Sequence, residues 1–247
     1  MSRPVIRALV FAVVLSAGVG LGESAVAKDC GDHVGGDGVA GRRVACACGD
    51  TVVTDTRLRA EDPVVRERCR LNGLRVRAGE LASTITLDLA GLGIRGMMAG
   101  VGIDIVHGGD DGALVRGGDT DDRGQVTGFS IGLSMSRAGT LRRVENLKVV
   151  GCAREGLDIN SRGTLVLGVE TTHNGGHGIR VGGTGGRILD MVSTANAGHG
   201  LMLVADGVIV TGLFEGNTLG PFVVKGRRND TSGVRSTTAA PVARGAE

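Results

Sequence analysis

Apolar residues alternate with period 2 along three segments of the chain, 146–159, 168–181 and 190–203, which align without gaps at a spacing of 22 residues. Gly156, Gly178 and Gly200 fall in register. So do Leu157, Ile179 and Leu201, followed by Ile159, Val181 and Leu203. In Ile179-Arg180-Val181 the side chains point in, out and in, which is the period of a strand and not of a helix. Looser copies flank these segments. Gly102–Ile105 and Gly132–Met135 end two earlier turns of the repeat, and Gly212–Val224 is a shortened last one.

The predicted strands are three to five residues long and separated by Gly and Asn, too short for a sandwich of hairpins. Asn174-Gly175 is a hairpin-turn signal and argues for an antiparallel meander. The 22-residue register argues more strongly for a solenoid, with three short strands per coil, each pairing with its equivalent in the next coil. That is an all-β parallel β-helix of about six coils. Asn174 and Asn196 align, which predicts a buried asparagine ladder at one corner. Cys152 takes the same position one coil earlier and reads as a small buried thiol.

Composition narrows this further. The 247 residues include 45 Gly but only 4 Pro, and no triplet period, which excludes collagen. Hydrophobic residues make up 41%, too many for a disordered chain. There is no Trp or Tyr, so the core must be built from small aliphatic side chains.

Residues 1–27 read as a secretory leader. Arg3 and Arg7 precede an apolar run from Ala8 to Val19, and Ala25-Val26-Ala27 is a small-residue cleavage site. The run is too short and too broken by glycine for a spanning helix, so the mature chain is expected to begin at Lys28 without a membrane span. It carries 26 basic and 25 acidic residues, a net charge of +1. No nucleic-acid partner follows from that balance.

Export makes the cysteines legible. Cys30, Cys46, Cys48 and Cys69 cluster near the mature N-terminus, and four cysteines in an oxidising compartment imply two disulfides. Cys46 and Cys48 are too close to pair easily, which leaves one bond each to Cys30 and Cys69. The rival is a zinc site at Cys46-Ala47-Cys48 with Cys30 or His33, but one intervening residue is shorter than the usual ligand spacing.

Thr84–Gly96, followed by the Gly-Ile-Asp-Ile type repeats, resembles the right-handed β-helix repeat family. That family is the broad pectin-lyase-like superfamily, which includes periplasmic copper-binding β-helix proteins. Cys48–Thr56 and Cys69 resemble the entry segment of such secreted proteins. The resemblance covers about residues 46–225 and implies a right-handed helix and a secreted or periplasmic location. It implies little about function, because the repeat encodes stacking and not chemistry. The expected organisation is a leader at 1–27, an N-terminal disulfide-bearing cap and first strands at 28–83, the β-helix at 84–229 and a disordered tail at 230–247. Asn229-Asp230-Thr231 is a glycosylation sequon.

Three constellations carry chemistry. The outward position of one strand reads Asp104, Ser134, Asp158, Arg180 and Met202 along the stack. Adjacent rungs lie about 4.8 Å apart, so Asp158 and Arg180 can pair, and Asp104 and Asp158 stand roughly 9–10 Å apart. β-Helix enzymes that act on polysaccharides place acids along such a face, with an Arg or Lys base and calcium in the lyases. Asp104, Asp158 and Arg180 are therefore the candidate catalytic residues. An ordinary solvated face with one ion pair gives the same pattern.

The second constellation is His173, His177, His199 and Glu155. His177 and His199 are 22 residues apart and should stack, with Glu155 one coil earlier and His173 across the turn. Imidazole and carboxylate at that spacing suit copper or zinc. The third is an acidic loop. Asp119, Asp121 and Asp122 resemble part of a calcium loop, although Arg123 and Ser130 stand where oxygen ligands belong. Gly91–Gly96 matches GxGxxG, but no helix follows to hold a phosphate, so a nucleotide site is rejected.

Three function classes follow. The first is a non-catalytic exported β-helix that binds a polysaccharide or cell-surface component. The second is a polysaccharide lyase, hydrolase or epimerase. The third is a periplasmic metal-handling protein. The first is preferred: the stacking code is complete, no full catalytic set stands out, and aromatic platforms for sugar rings are missing.

Overall fold

The computed structural model describes residues 27–35, 41–77, 84–106, 112–119, 122–135 and 142–236. The expected leader lies outside them except for Ala27, as do residues 237–247 of the expected tail. Among the described residues the only helix is the single turn Pro63–Arg66; no helix is long and apolar enough to cross a membrane.

The strands form two long sheets. A ten-stranded sheet runs from Arg42–Val44 through Asp29–Val34, Thr51–Val52, Leu74–Arg77 and Val101–Val106. It continues through Ile131–Met135, Leu157–Ile159, Ile179–Val181 and Leu201–Leu203 to Phe222–Val224. Every pairing after the first is parallel. A 13-stranded sheet supplies the other faces in two rows, which start at Thr56–Arg57 and Arg68–Cys69 and merge in the long strand Arg187–Thr194. This is the expected parallel β-helix. The meander is ruled out, because Asn174-Gly175 turns a corner between parallel strands and not a hairpin.

The six coils expected over residues 84–229 are present, and two earlier ones extend the stack into the segment expected as cap and first strands. Eight strands of the ten-stranded sheet follow one another from Thr51–Val52 to Phe222–Val224, one per coil. The early coils escape the 22-residue period because their connections are longer. Leu74, Ile103 and Leu133 share one column but stand 29 and 30 residues apart.

The inward positions form two aliphatic columns. Leu74, Ile103, Leu133, Leu157, Ile179 and Leu201 are all fully buried. Val76, Ile105, Met135, Ile159, Val181 and Leu203 are buried to 1% exposure or less. Each such side chain contributes about 1.5–3 kcal/mol by leaving water. Small aliphatic residues suffice because neighbouring strands lie only about 4.8 Å apart.

The asparagine ladder is present and longer than expected. Asn174 Oδ1 accepts from the Cys152 N–H at 2.9 Å, Asn196 Oδ1 from the Asn174 N–H at 3.0 Å, and Asn217 Oδ1 from the Asn196 N–H at 3.0 Å. The side-chain amides form a second chain, from Asn174 Nδ2 to Asn196 Oδ1 at 2.9 Å and from Asn196 Nδ2 to Asn217 Oδ1 at 2.8 Å. The ladder accounts for the glycines in register. A Cβ on Gly156 would lie 2.8 Å from Asn174 Nδ2, and one on Gly200 would lie 2.6 Å from Asn217 Nδ2. Cys152 heads the ladder as a buried free thiol, and burial pushes its pKa up to about 11.

The N-terminal end is closed by two disulfides, Cys30–Cys46 and Cys48–Cys69. All four sulfurs are thereby used, which removes the zinc reading. Arg43 donates two bonds to the fully buried Asp62, at 2.9 and 2.7 Å, and ties the antiparallel cap strand Arg42–Val44 to the helical turn. At the other end the expectation of disorder from residue 230 is corrected. Asp230–Arg235 is a strand parallel to Ile209–Glu215, because Val234 falls opposite Gly212 and packs against the core. Asn229 of the sequon is engaged in the fold, with Oδ1 accepting from the Val208 N–H and Nδ2 donating to the Ala205 carbonyl, both at 2.8 Å.

Candidate functional site

The β-helix lays outward side chains of the ten-stranded sheet in one straight column. Register pairs Thr51 with Arg75, Arg75 with Asp104, Asp104 with Ser134, Ser134 with Asp158, Asp158 with Arg180, and Arg180 with Met202. The structure therefore brings Asp104, Asp158 and Arg180 onto one face, with Asp104 and Asp158 two rungs apart. Arg180 Nη1 lies 2.9 Å from Asp158 Oδ1, which also accepts from Asn160 Nδ2 at 3.0 Å.

Arg75 and Arg142 join this site. Arg75 Nε is 3.8 Å from Asp104 Oδ2. Arg142 is buried, with Nη1 donating to the Ile105 carbonyl at 3.3 Å. Burial pushes the Asp104 carboxyl above its usual value, against the pull of Arg75, Arg142 and a hydrogen bond from Ser134. Burial also lowers the Arg142 pKa, and Asp104 opposes that shift. The repeat did not reveal either arginine. Arg75 lies on a coil of different length, and Arg142 occupies a position that is apolar in the preceding coils, Ile85 and Ala113.

The histidine set is not assembled. His177 and His199 do stack, with ring centroids 5.6 Å apart and planes 9° from parallel. The His199 N–H donates to His177 Nδ1 at 2.9 Å, so that nitrogen is an occupied acceptor. His173 is exposed, sits at φ 55° and shares a 2.8 Å hydrogen bond with Thr172 Oγ1. Among the described residues no three His, Cys, Asp or Glu side chains converge as metal ligands. The expected copper or zinc set of His173, His177, His199 and Glu155 is therefore not gathered at one point: His173 bonds within its own coil and His177 Nδ1 is occupied by the next, while His199 Nδ1 and Glu155 Oε2 are buried without a hydrogen-bond partner. Of the expected calcium loop, Asp119 and Asp122 lie among the described residues, where the Asp122 N–H donates to the Asp119 carbonyl at 3.1 Å. Asp121 lies outside the described residues.

Burial lowers the pKa of His177; His199 and Arg180 add to the shift, and Glu155 opposes it. The unfolded chain therefore takes up this proton first as pH falls. The contribution to stability is full above about 6.5 and is lost as pH falls toward the folded value. The expected result is a melting temperature that drops between pH 7.5 and 5, with a smaller drop in His177→Gln. Equal drops in the two proteins would assign the pH dependence to other groups.

A second charged column went unread in the sequence. Arg57, Asp88, Arg116 and Glu145 are in register on the 13-stranded sheet. Asp88 lies between the two arginines, 2.7 Å from Arg116 Nη2 and 3.9 Å from Arg57 Nε. Beside this column is a cleft of about 390 Å³.

No protein-family model matches the chain, and no curated protein sequence matches it. Among solved structures it is similar to the periplasmic alginate epimerase AlgG, determined as a point mutant. The TM-score is 0.52 at 13% identity, over 77% of this chain and 44% of that one. The chain thus spans less than half the length of that structure. At this identity the likeness establishes the fold alone: a right-handed parallel β-helix, here with an N-terminal disulfide-bearing end.

Proposed function

We propose that this protein is an exported, non-catalytic β-helix that binds a polysaccharide along the outward face of its ten-stranded sheet. One observation carries the reading: Arg75, Asp104, Ser134, Asp158 and Arg180 stand in unbroken register on one sheet. They offer donors and acceptors in turn, one per rung, at a spacing of about 4.8 Å. Sugar hydroxyls both donate and accept, so an extended glycan lying across the strands meets a partner at each step. Arg75 and Arg180 keep about half and two-fifths of their side chains exposed, so the ion pairs leave donors free for a ligand. With no Trp or Tyr in the chain, hydrogen bonds and charge must supply the affinity. The leader-like segment and the two disulfides support export, and the periplasmic polysaccharide enzyme with the same fold supports the ligand class.

The test is affinity electrophoresis in gels that contain acidic and neutral polysaccharides. Retardation by at least one glycan is expected, and Asp158→Asn combined with Arg180→Gln should weaken it about tenfold or more, the loss of one or two charge-assisted contacts. Retardation by no glycan, or equal retardation of the variant, would overturn the reading.

A second reading is catalytic: an epimerase or lyase acting on an acidic polysaccharide. It is favoured by Asp104, a carboxyl whose pKa is raised by burial, held beside two arginines. In that reading Asp104 takes the proton next to the sugar carboxylate, while Arg75 and Arg142 offset the developing charge.

A further inference from the structure

We propose that the cleft beside Arg57 and Arg116 is a second binding site, for a uronic-acid unit. It lies on the 13-stranded sheet, away from the Asp104–Arg180 face, and does not depend on that face binding anything. The cleft of about 390 Å³ is lined by Asp32, Asp55, Arg57, Thr86, Leu114 and Arg116, among others. That size holds one or two sugar rings.

The chemistry follows from which groups are already satisfied. Each carboxylate at the cleft has donors from the protein. Asp32 accepts from Arg43 Nε at 3.1 Å and from the Arg57 N–H at 2.9 Å. Asp55 accepts from the Thr86 N–H at 2.7 Å. Asp88 accepts from Arg116 Nη2 at 2.7 Å and the Ala90 N–H at 2.9 Å, and its side chain is only 6% exposed. The guanidiniums are not matched in the same way. Arg57 is 69% exposed, and its nearest carboxylate contact is 3.9 Å. Arg116 commits Nη2 to Asp88 and its Nε is buried out of a ligand's reach, but 44% of its side chain remains exposed.

The unused capacity is therefore a set of cationic N–H donors on two guanidiniums that flank a buried, already-paired aspartate. Guanidinium forks match a carboxylate in shape and charge. Asp32 and Asp55 keep lone pairs that accept from hydroxyl groups. A ligand with one carboxylate and several ring hydroxyls uses both sets of groups. A neutral sugar leaves the arginines unmatched, and a bare anion leaves the aspartates facing it.

The experiment is titration calorimetry of the full chain with three probes: a galacturonate dimer, its methyl ester and inorganic sulfate. The acid dimer should bind at least tenfold more tightly than either of the other two. Arg57→Gln, an exposed change that leaves the Asp88–Arg116 pair intact, should weaken the acid dimer about tenfold without moving the melting temperature. Arg116→Gln should weaken it at least as much, provided circular dichroism shows the coil stack unchanged. Asp158→Asn with Arg180→Gln should leave this binding intact, which separates the site from the glycan face. Equal binding of acid and ester, preference for sulfate, no binding of the acid dimer, or an unaffected Arg57→Gln would each overturn the proposal.

Discussion

Asn196→Ala is expected to destabilise the protein by roughly 3–5 kcal/mol, more than any single surface change. Asn196 is fully buried and holds the ladder in both directions. Its Oδ1 accepts from both the backbone and the side-chain amide of Asn174. Its Nδ2 donates to Asn217 Oδ1, Ser193 Oγ and the Thr171 carbonyl. Alanine removes these and strands several buried partners, each at about 1–3 kcal/mol. Water entering the gap recovers part of this, hence the range. Asn196→Asp has nearly the same shape and keeps the acceptor, but replaces the donor with a second oxygen facing three acceptors, so it should also destabilise strongly. Urea unfolding followed by circular dichroism measures both. A loss below about 1 kcal/mol in Asn196→Ala would mean that the ladder is ornamental and the aliphatic columns hold the coils alone.

Loss of the Cys48–Cys69 disulfide is the second large effect. The bond closes 21 residues and joins the cap to the coil that begins at Thr51–Val52. A loop of that length is worth about 3 kcal/mol in chain entropy. The paired change Cys48→Ala with Cys69→Ala should cost about that much. It should also have a local signature. In a solenoid each coil contacts only its neighbours, so the N-terminal coils should lose amide protection before the coils around Ile179–Val181 and Leu201–Leu203 do. Uniform loss of protection along the stack would indicate a single cooperative unit. The Cys30–Cys46 bond spans 16 residues and should contribute slightly less by the same reasoning.

The C-terminal half of the fold was legible because stacking repeats the same demand at every coil. Glycine recurs at 156, 178 and 200 because the ladder asparagines, together with Ser193 and the carbonyls of the next coil, leave no room for a Cβ. Leu157, Ile179 and Leu201 recur because they fill one column. The register of Asp104, Ser134, Asp158 and Arg180 could be read from the same pattern. The N-terminal half was not legible to the same depth. Its connections vary in length, so Arg75 reaches Asp104 with no fixed sequence offset, and Arg57, Asp88 and Arg116 meet at spacings that match no period. The histidines misled for a different reason. Stacking does put His177 over His199, but the column ties His177 Nδ1 to the backbone of the next coil and leaves His173 apart, bonded to Thr172. Asp230–Arg235 looked like a tail because only Val234 in it is apolar, and pairing along one edge needs backbone groups more than side chains.

The most direct test of the central claim is a proton NMR time course of acidic polysaccharides incubated with the protein at a concentration where they bind. Binding should broaden the polysaccharide signals while their anomeric pattern stays constant for days. New reducing-end or unsaturated signals would reveal cleavage, and a changing ratio of uronate epimers would reveal epimerisation. Either would contradict a non-catalytic protein and support the catalytic reading, with loss of the new signals in Asp104→Asn placing the chemistry at Asp104.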